Sequence, residues 1–202
     1  MNQDNTIEFW QSFKDISVVD FEKVCKFVFE EFGTSLACNR FDVGNCVEFA
    51  FSDMLSQNKC FKVDNAPNAQ RYDIKIQNYG QYSIKYSSSG NIRLHNSLGE
   101  NKDMHMKPTF VITPTCIYLL SEMLLQEHHI ELGMYLKNTS DALELKRSIL
   151  TVLEKNKYPF RKTIDIRFDK NNCKNRLCSD IIYKYAKESV TKNNISNMCS
   201  EL

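Results

Sequence analysis

Polar and apolar residues alternate through Arg71-Tyr72-Asp73-Ile74-Lys75-Ile76 and again through Gln81-Tyr82-Ser83-Ile84-Lys85-Tyr86. The four residues between them, Gln77-Asn78-Tyr79-Gly80, end in glycine. A period of two on both sides of such a break predicts a β-hairpin. Elsewhere the period is helical. Residues 6–14 predict a short helix. Phe21, Val24, Cys25, Val28 and Phe32 share one face over residues 18–32, with Gly33 as the stop. Val47, Phe51, Met54 and Leu55 do the same over residues 43–57. Short apolar stretches predict strands at 60–63, 91–95, 109–112, 132–136 and 163–168. Thr113-Pro114 has the form of an N-cap followed by proline in the first turn, and predicts a helix to about residue 127. Ser140 or Asp141 opens another that reaches about residue 156, and residues 178–190 predict a last one. Helices, then strands, then alternating strand and helix predict an α/β fold, a mixed central β-sheet flanked by helices. With no linker or repeat, residues 1–202 read as one domain. Residues 1–42 are its N-terminal helices, 43–112 its core, and 113–202 the remaining strands and helices with a basic segment.

At 42% hydrophobic residues, the chain can bury a core of that size. No apolar run approaches the roughly 20 residues of a membrane span, and the polar start Met1–Asn5 lacks the apolar stretch of a signal peptide. The expected setting is cytoplasmic, with no membrane partner. Eight cysteines occur without a C-x-x-C pair, which reads as reduced thiols, several of them core-packed. His95, His105, His128 and His129 lack ligand-like spacing, and no P-loop, G-x-G-x-x-G or G-x-S-x-G is present. The common nucleotide-binding, zinc and serine-hydrolase motifs therefore do not apply.

The overall charge of +1 hides a gradient. Residues 1–60 hold 5 basic and 10 acidic side chains, whereas residues 161–192 hold 9 and 4. The basic segment is densest at Arg161-Lys162, Arg167, Lys170 and Lys174-Asn175-Arg176. Clustered cations among asparagines suit a surface that faces a polyanion.

Candidate chemistry centres on the hairpin. Asp73 falls on its first strand. Ser83 and Lys85, two residues apart on the second, point to one face of the sheet. A carboxylate and an ammonium converging there can hold a divalent cation and an attacking water. A competing register takes Asp73-Ile74-Lys75 as the motif, with Asp64 upstream, but it leaves Ser83 and Lys85 unused.

A helix with Gly44-x-x-x-Glu48, a strand with Asp73, a short turn, then Ser83-x-Lys85 and Tyr-Ser-Ser-Ser-Gly resembles the restriction-endonuclease-like PD-(D/E)XK nuclease superfamily. The resemblance spans about residues 43–95, and the charge gradient with the long stretch beyond the core favours a type II restriction endonuclease within it. It implies a Mg²⁺-dependent, sequence-specific endonuclease for double-stranded DNA, with Mn²⁺ as a substitute, acting as a homodimer. In that family reading Asp73 and the Ile84 carbonyl hold the metal, and Lys85 attends the attacking water. Ser83 stands where the family usually has a carboxylate, so the second acid is sought at Glu48 or Glu100. Next to such a hairpin, Ser87, Ser88, Ser89, Asn91, Arg93, His95 and Asn96 are candidates for contacting DNA. Lys174 and Arg176 are the next choice. Within the superfamily, a junction resolvase or repair nuclease is the alternative. From another class, the alternative is a DNA-binding relative whose site has decayed at Ser83.

Overall fold

A computed structural model describes residues 3–38, 40–66, 72–88, 92–94, 107–128, 130, 134–136, 143–145 and 147–167, some of them by backbone alone. Three helices come first: α1 (Gln3–Phe13), α2 (Val19–Cys38) and α3 (Arg40–Gln57). Then follow β1 (Val63–Asn65), β2 (Ile74–Ile76), β3 (Gly80–Tyr86), β4 (Ile92–Leu94), β5 (Thr109–Ile112) and β6 (Cys116–Leu120). The rest is α4 (Glu122–Glu127), β7 (Met134–Leu136), β8 (Leu143–Leu145), α5 (Arg147–Lys155) and β9 (Arg161–Thr163).

The main sheet has six strands in the order β1-β2-β3-β5-β6-β9. All its neighbours are antiparallel except β3 and β5, so the sheet is mixed, as the sequence predicts. The parallel pair needs a long return. The connection between β3 and β5 includes β4, which pairs with β8 in a second, three-stranded antiparallel sheet completed by β7.

The hairpin forms where the alternation predicts it. Ile74 lies opposite Tyr82, and Ile76 opposite Gly80. The turn needs positive φ at Asn78 (71°) and Gly80 (104°), residue types that tolerate that region. Asn5 of α1 donates its side-chain amide to the Asn78 carbonyl at 3.0 Å and ties the turn to the first helix.

An aromatic cluster joins helices to sheet. Phe110 of β5 meets Phe9, Phe13, Phe51 and Tyr82 at ring-centroid distances of 5.7, 5.5, 4.8 and 5.4 Å. All five rings are essentially fully buried. Burying each such side chain contributes about 1.5–3 kcal/mol. Through Phe51, the cluster sets where α3 lies against the strands.

Several predicted elements differ. Helix α2 continues through Gly33 to Cys38; a glycine inside a helix costs only about 1 kcal/mol relative to alanine, so it need not end one. The helix predicted from Thr113-Pro114 is instead a hairpin turn followed by strand β6. Thr113 N–H donates to the Cys116 carbonyl at 2.8 Å, and Cys116 N–H donates to Thr113 Oγ1 at 3.0 Å. Proline suits the second position of that turn as well as it suits a first helical turn. The run Cys116–Leu120 is wholly buried between β5 and β9, an environment that periodicity alone cannot tell from a buried helix. The true helix here, α4, is short and is capped by Ser121, whose Oγ accepts from Leu124 N–H. The helix expected from Ser140 or Asp141 begins only at Arg147, because Leu143–Leu145 are claimed by strand pairing with β4 and β7. The strand expected at 60–63 is Val63–Asn65, and the one at 163–168 is Arg161–Thr163. The predicted helix at 178–190 lies outside the described residues.

Candidate functional site

The β2–β3 ladder stops at Asp73. The Asp73 N–H donates to the Tyr82 carbonyl at 3.0 Å, and its own carbonyl accepts from Ala66 N–H at 2.9 Å. Beyond that point β3 runs on beside β5, with Ser83 opposite Thr109 and Lys85 opposite Val111. Ile84 therefore turns its N–H and C=O toward a place where β2 offers no further backbone partner. Side chains take over both groups.

The Ile84 N–H donates to Asp73 Oδ2 at 2.6 Å. Ser83 Oγ donates to the same oxygen at 2.7 Å, and Lys85 Nζ at 3.1 Å. The Ile84 carbonyl accepts from Lys85 Nζ at 2.8 Å. Glu48 of α3 brings its Oε1 to 3.7 Å from the same ammonium. Three oxygen-bearing groups thus converge on one cation: Asp73, Glu48 and the Ile84 carbonyl. The Lys85, Asp73 and Glu48 side chains are 22%, 21% and 27% exposed, so the cluster is recessed yet reachable from solvent.

Two carboxylates face one ammonium here, which leaves an excess negative charge. Glu48 carries the consequence. Burial first, and the Asp73 carboxylate second, push its pKa up to about 7 from 4.5, against the opposing pull of Lys85. Its neighbour Val47 is buried in the core, whereas Phe49 lies at the surface.

The oxygen set fits a hard divalent cation. Mg²⁺ commonly takes one or two carboxylates and completes its shell with water. The ammonium of Lys85 lies 3.1 Å from Asp73 Oδ2, 2.8 Å from the Ile84 carbonyl and 3.7 Å from Glu48 Oε1. Asp73 Oδ2 takes all three of the hydrogen bonds, and Oδ1 takes none of them. Among the described residues, no group of three or more His, Cys, Asp or Glu side chains gathers as a metal site. Any metal here would rest on the acid pair and the carbonyl.

The competing register lies next to the cluster on the sheet: Lys75 is two residues from Asp73 and pairs with Gln81. Asp64 of β1 stands opposite Lys75 of β2, and both side chains are exposed. They do not join the cluster. Ser87, directly after β3, is buried, with its N–H on the Ile112 carbonyl. Ser88 is exposed. Arg93 lies on β4, described by its backbone alone. Glu100, Ser89, Asn91, His95, Asn96, Lys174 and Arg176 lie outside the described residues.

The Ile84 N–H as a donor to Asp73 had no signal in the sequence, because it depends on where a ladder ends. Tyr72, next to Asp73, and Gln81 and Lys107, each two residues from the Ser83–Thr109 pair, entered no candidate site in the sequence either. Cys25 and Cys116 are buried free thiols, as their apolar surroundings suggest, while Cys60 is exposed. No helix among the described residues is long and apolar enough to cross a membrane. No family model, no curated protein and no solved structure matches this chain.

Proposed function

We propose that the chain is a Mg²⁺-dependent, sequence-specific endonuclease for double-stranded DNA, of the type II restriction kind. The observation that carries this reading is the convergence of Asp73, Glu48 and the Ile84 carbonyl on the ammonium of Lys85. Hydrolysis of a phosphodiester needs an in-line water, charge relief at the phosphate and help for the leaving oxygen. Bound Mg²⁺ supplies Lewis acidity and lowers the pKa of a water.

The chain's own residues do the rest. Asp73 is held in one rotamer by Ser83 Oγ and the Ile84 N–H, so its carboxylate is preorganised. Glu48 adds the second negative charge that Ser83 cannot. Lys85 leaves its carboxylate partners for the developing charge on the phosphate and orients the attacking water. Hydrolysis is direct, with no covalent enzyme intermediate. A homodimer places two such sites about a two-fold axis, as cutting both strands of a palindrome requires.

Incubating plasmid DNA with the protein and Mg²⁺, then sequencing the ends, tests the reading. Discrete ends at one short sequence support it. Intact plasmid across Mg²⁺ and Mn²⁺ overturns it. A second reading, a DNA-binding relative without catalysis, is favoured by Ser83 in place of an acid; tight DNA binding with no cutting at any metal concentration would select it.

A further inference from the structure

Lys107 meets two residues that lie close to the cluster in chain and register. Lys107 Nζ donates to Gln81 Oε1 at 3.4 Å and lies 5.7 Å from the centroid of the Tyr72 ring. All three border the cluster by chain position. Tyr72 directly precedes Asp73. Gln81 lies two residues before Ser83 on β3, a step of about 6.6 Å along the strand. Lys107 lies two residues before Thr109, which pairs with Ser83.

Lys107 is held at its backbone. Thr109 Oγ1 donates to the Lys107 carbonyl at 2.8 Å, and Ser83 N–H donates to the Pro108 carbonyl at 3.0 Å. The residue that clamps this segment, Ser83, is the one that also fixes Asp73. The position of Lys107 is therefore coupled to the cluster by rigid sheet geometry.

We infer that Tyr72, Gln81 and Lys107 form a subsite for the nucleotide adjoining the scissile phosphate. Lys107 contacts the neighbouring backbone phosphate, Gln81 orients Lys107, and the Tyr72 ring packs against the adjoining sugar or base. The chemistry is that of nucleic-acid contact: a cation for the phosphate, an aromatic face for the nucleoside and an amide to hold the cation in place. The offset of two strand positions from Ser83 is comparable to one nucleotide step. This inference rests on the nuclease reading. Lys107 is a binding residue and Gln81 its positioning residue, while the cluster at Asp73 and Lys85 carries the chemistry.

The test is equilibrium binding of a linear plasmid fragment in Ca²⁺ across a salt series, beside plasmid cleavage in Mg²⁺. Lys107→Gln should weaken binding roughly 5- to 10-fold and lower the slope of log affinity against log salt by about 1, as the loss of one phosphate contact requires. Lys107→Arg should restore the slope. Tyr72→Leu should weaken binding several-fold with the slope unchanged. If wild type binds and cuts while Lys107→Gln keeps wild-type affinity and slope, the subsite is overturned and the nuclease reading stands. If wild type neither binds nor cuts, the nuclease reading itself falls, and the subsite with it.

Discussion

Asp64 and Lys75 face each other across β1 and β2, and Asp73 and Lys85 meet a few residues away across β2 and β3. The residue types are the same, and so is the alternating pattern around them. The surroundings differ. At Asp64 and Lys75 the ladder is intact, so each backbone group is spent on its neighbour and the side chains stand in water. An exposed pair of this kind is worth about 0–1 kcal/mol. At Asp73 the ladder ends, and the unpaired Ile84 N–H and C=O recruit side chains. Asp73 then receives three donors on one oxygen, and Lys85 finds a second carboxylate in Glu48. A charged pair on a sheet becomes a candidate site where pairing stops and a third charge arrives from another element.

The comparison breaks most readily at the two lysines. Asp73→Ala and Lys85→Ala should each reduce plasmid cleavage by at least about 1,000-fold while leaving the thermal melt cooperative. Asp64→Ala and Lys75→Ala should stay within about threefold of wild type, as expected of solvated charges. Loss of cutting in Lys75→Ala with retention in Lys85→Ala would reverse the assignment.

The next effect concerns the second acid. Glu48→Gln should raise the Mg²⁺ concentration needed for half-maximal cutting by roughly 10- to 100-fold. Glu100→Gln should change it little. The opposite result would move the role to Glu100. Near-normal metal dependence in both would mean that Asp73 needs no second carboxylate.

Lys85 sits on the same three groups that would hold the metal, so it competes with it. Lys85→Met should bind Mn²⁺ about tenfold more tightly by calorimetry, in keeping with about 1.4 kcal/mol for one displaced charge, while failing to cut. Lys75→Met should leave Mn²⁺ affinity unaltered. Weaker Mn²⁺ binding in Lys85→Met would show that the ammonium organises the oxygens without competing for them.

The smallest effect is on stability. Glu48 has a folded-state pKa raised to about 7 from 4.5, so between these values the folded chain keeps a proton that the unfolded chain has released. Stability in EDTA should therefore fall as pH rises from about 4.5 to about 7 and level off above. The drop is about 1–3 kcal/mol after allowing for solvent at this partly exposed side chain. Urea midpoints across that window would measure it. Glu48→Gln should flatten the profile, and Asp64→Asn should not.

Local pattern was enough to place the hairpin, its turn and the alternation that puts Ser83 and Lys85 on one face, because period two is a local property of an extended chain. Helical spacing likewise marks Phe21, Cys25 and Val28 of α2 and Val47, Phe51, Met54 and Leu55 of α3, all buried. Tertiary structure decided what Thr113-Pro114 and Cys116–Leu120 become. A capping signal and a turn signal use the same two residues, and a fully apolar run has no period to read; only the slot between β5 and β9 makes it a strand. Tertiary structure also separated the two aspartate–lysine pairs. Which pair meets a third charge depends on where β2 stops and how Phe51 seats α3 against Phe110, long-range geometry that no local pattern encodes.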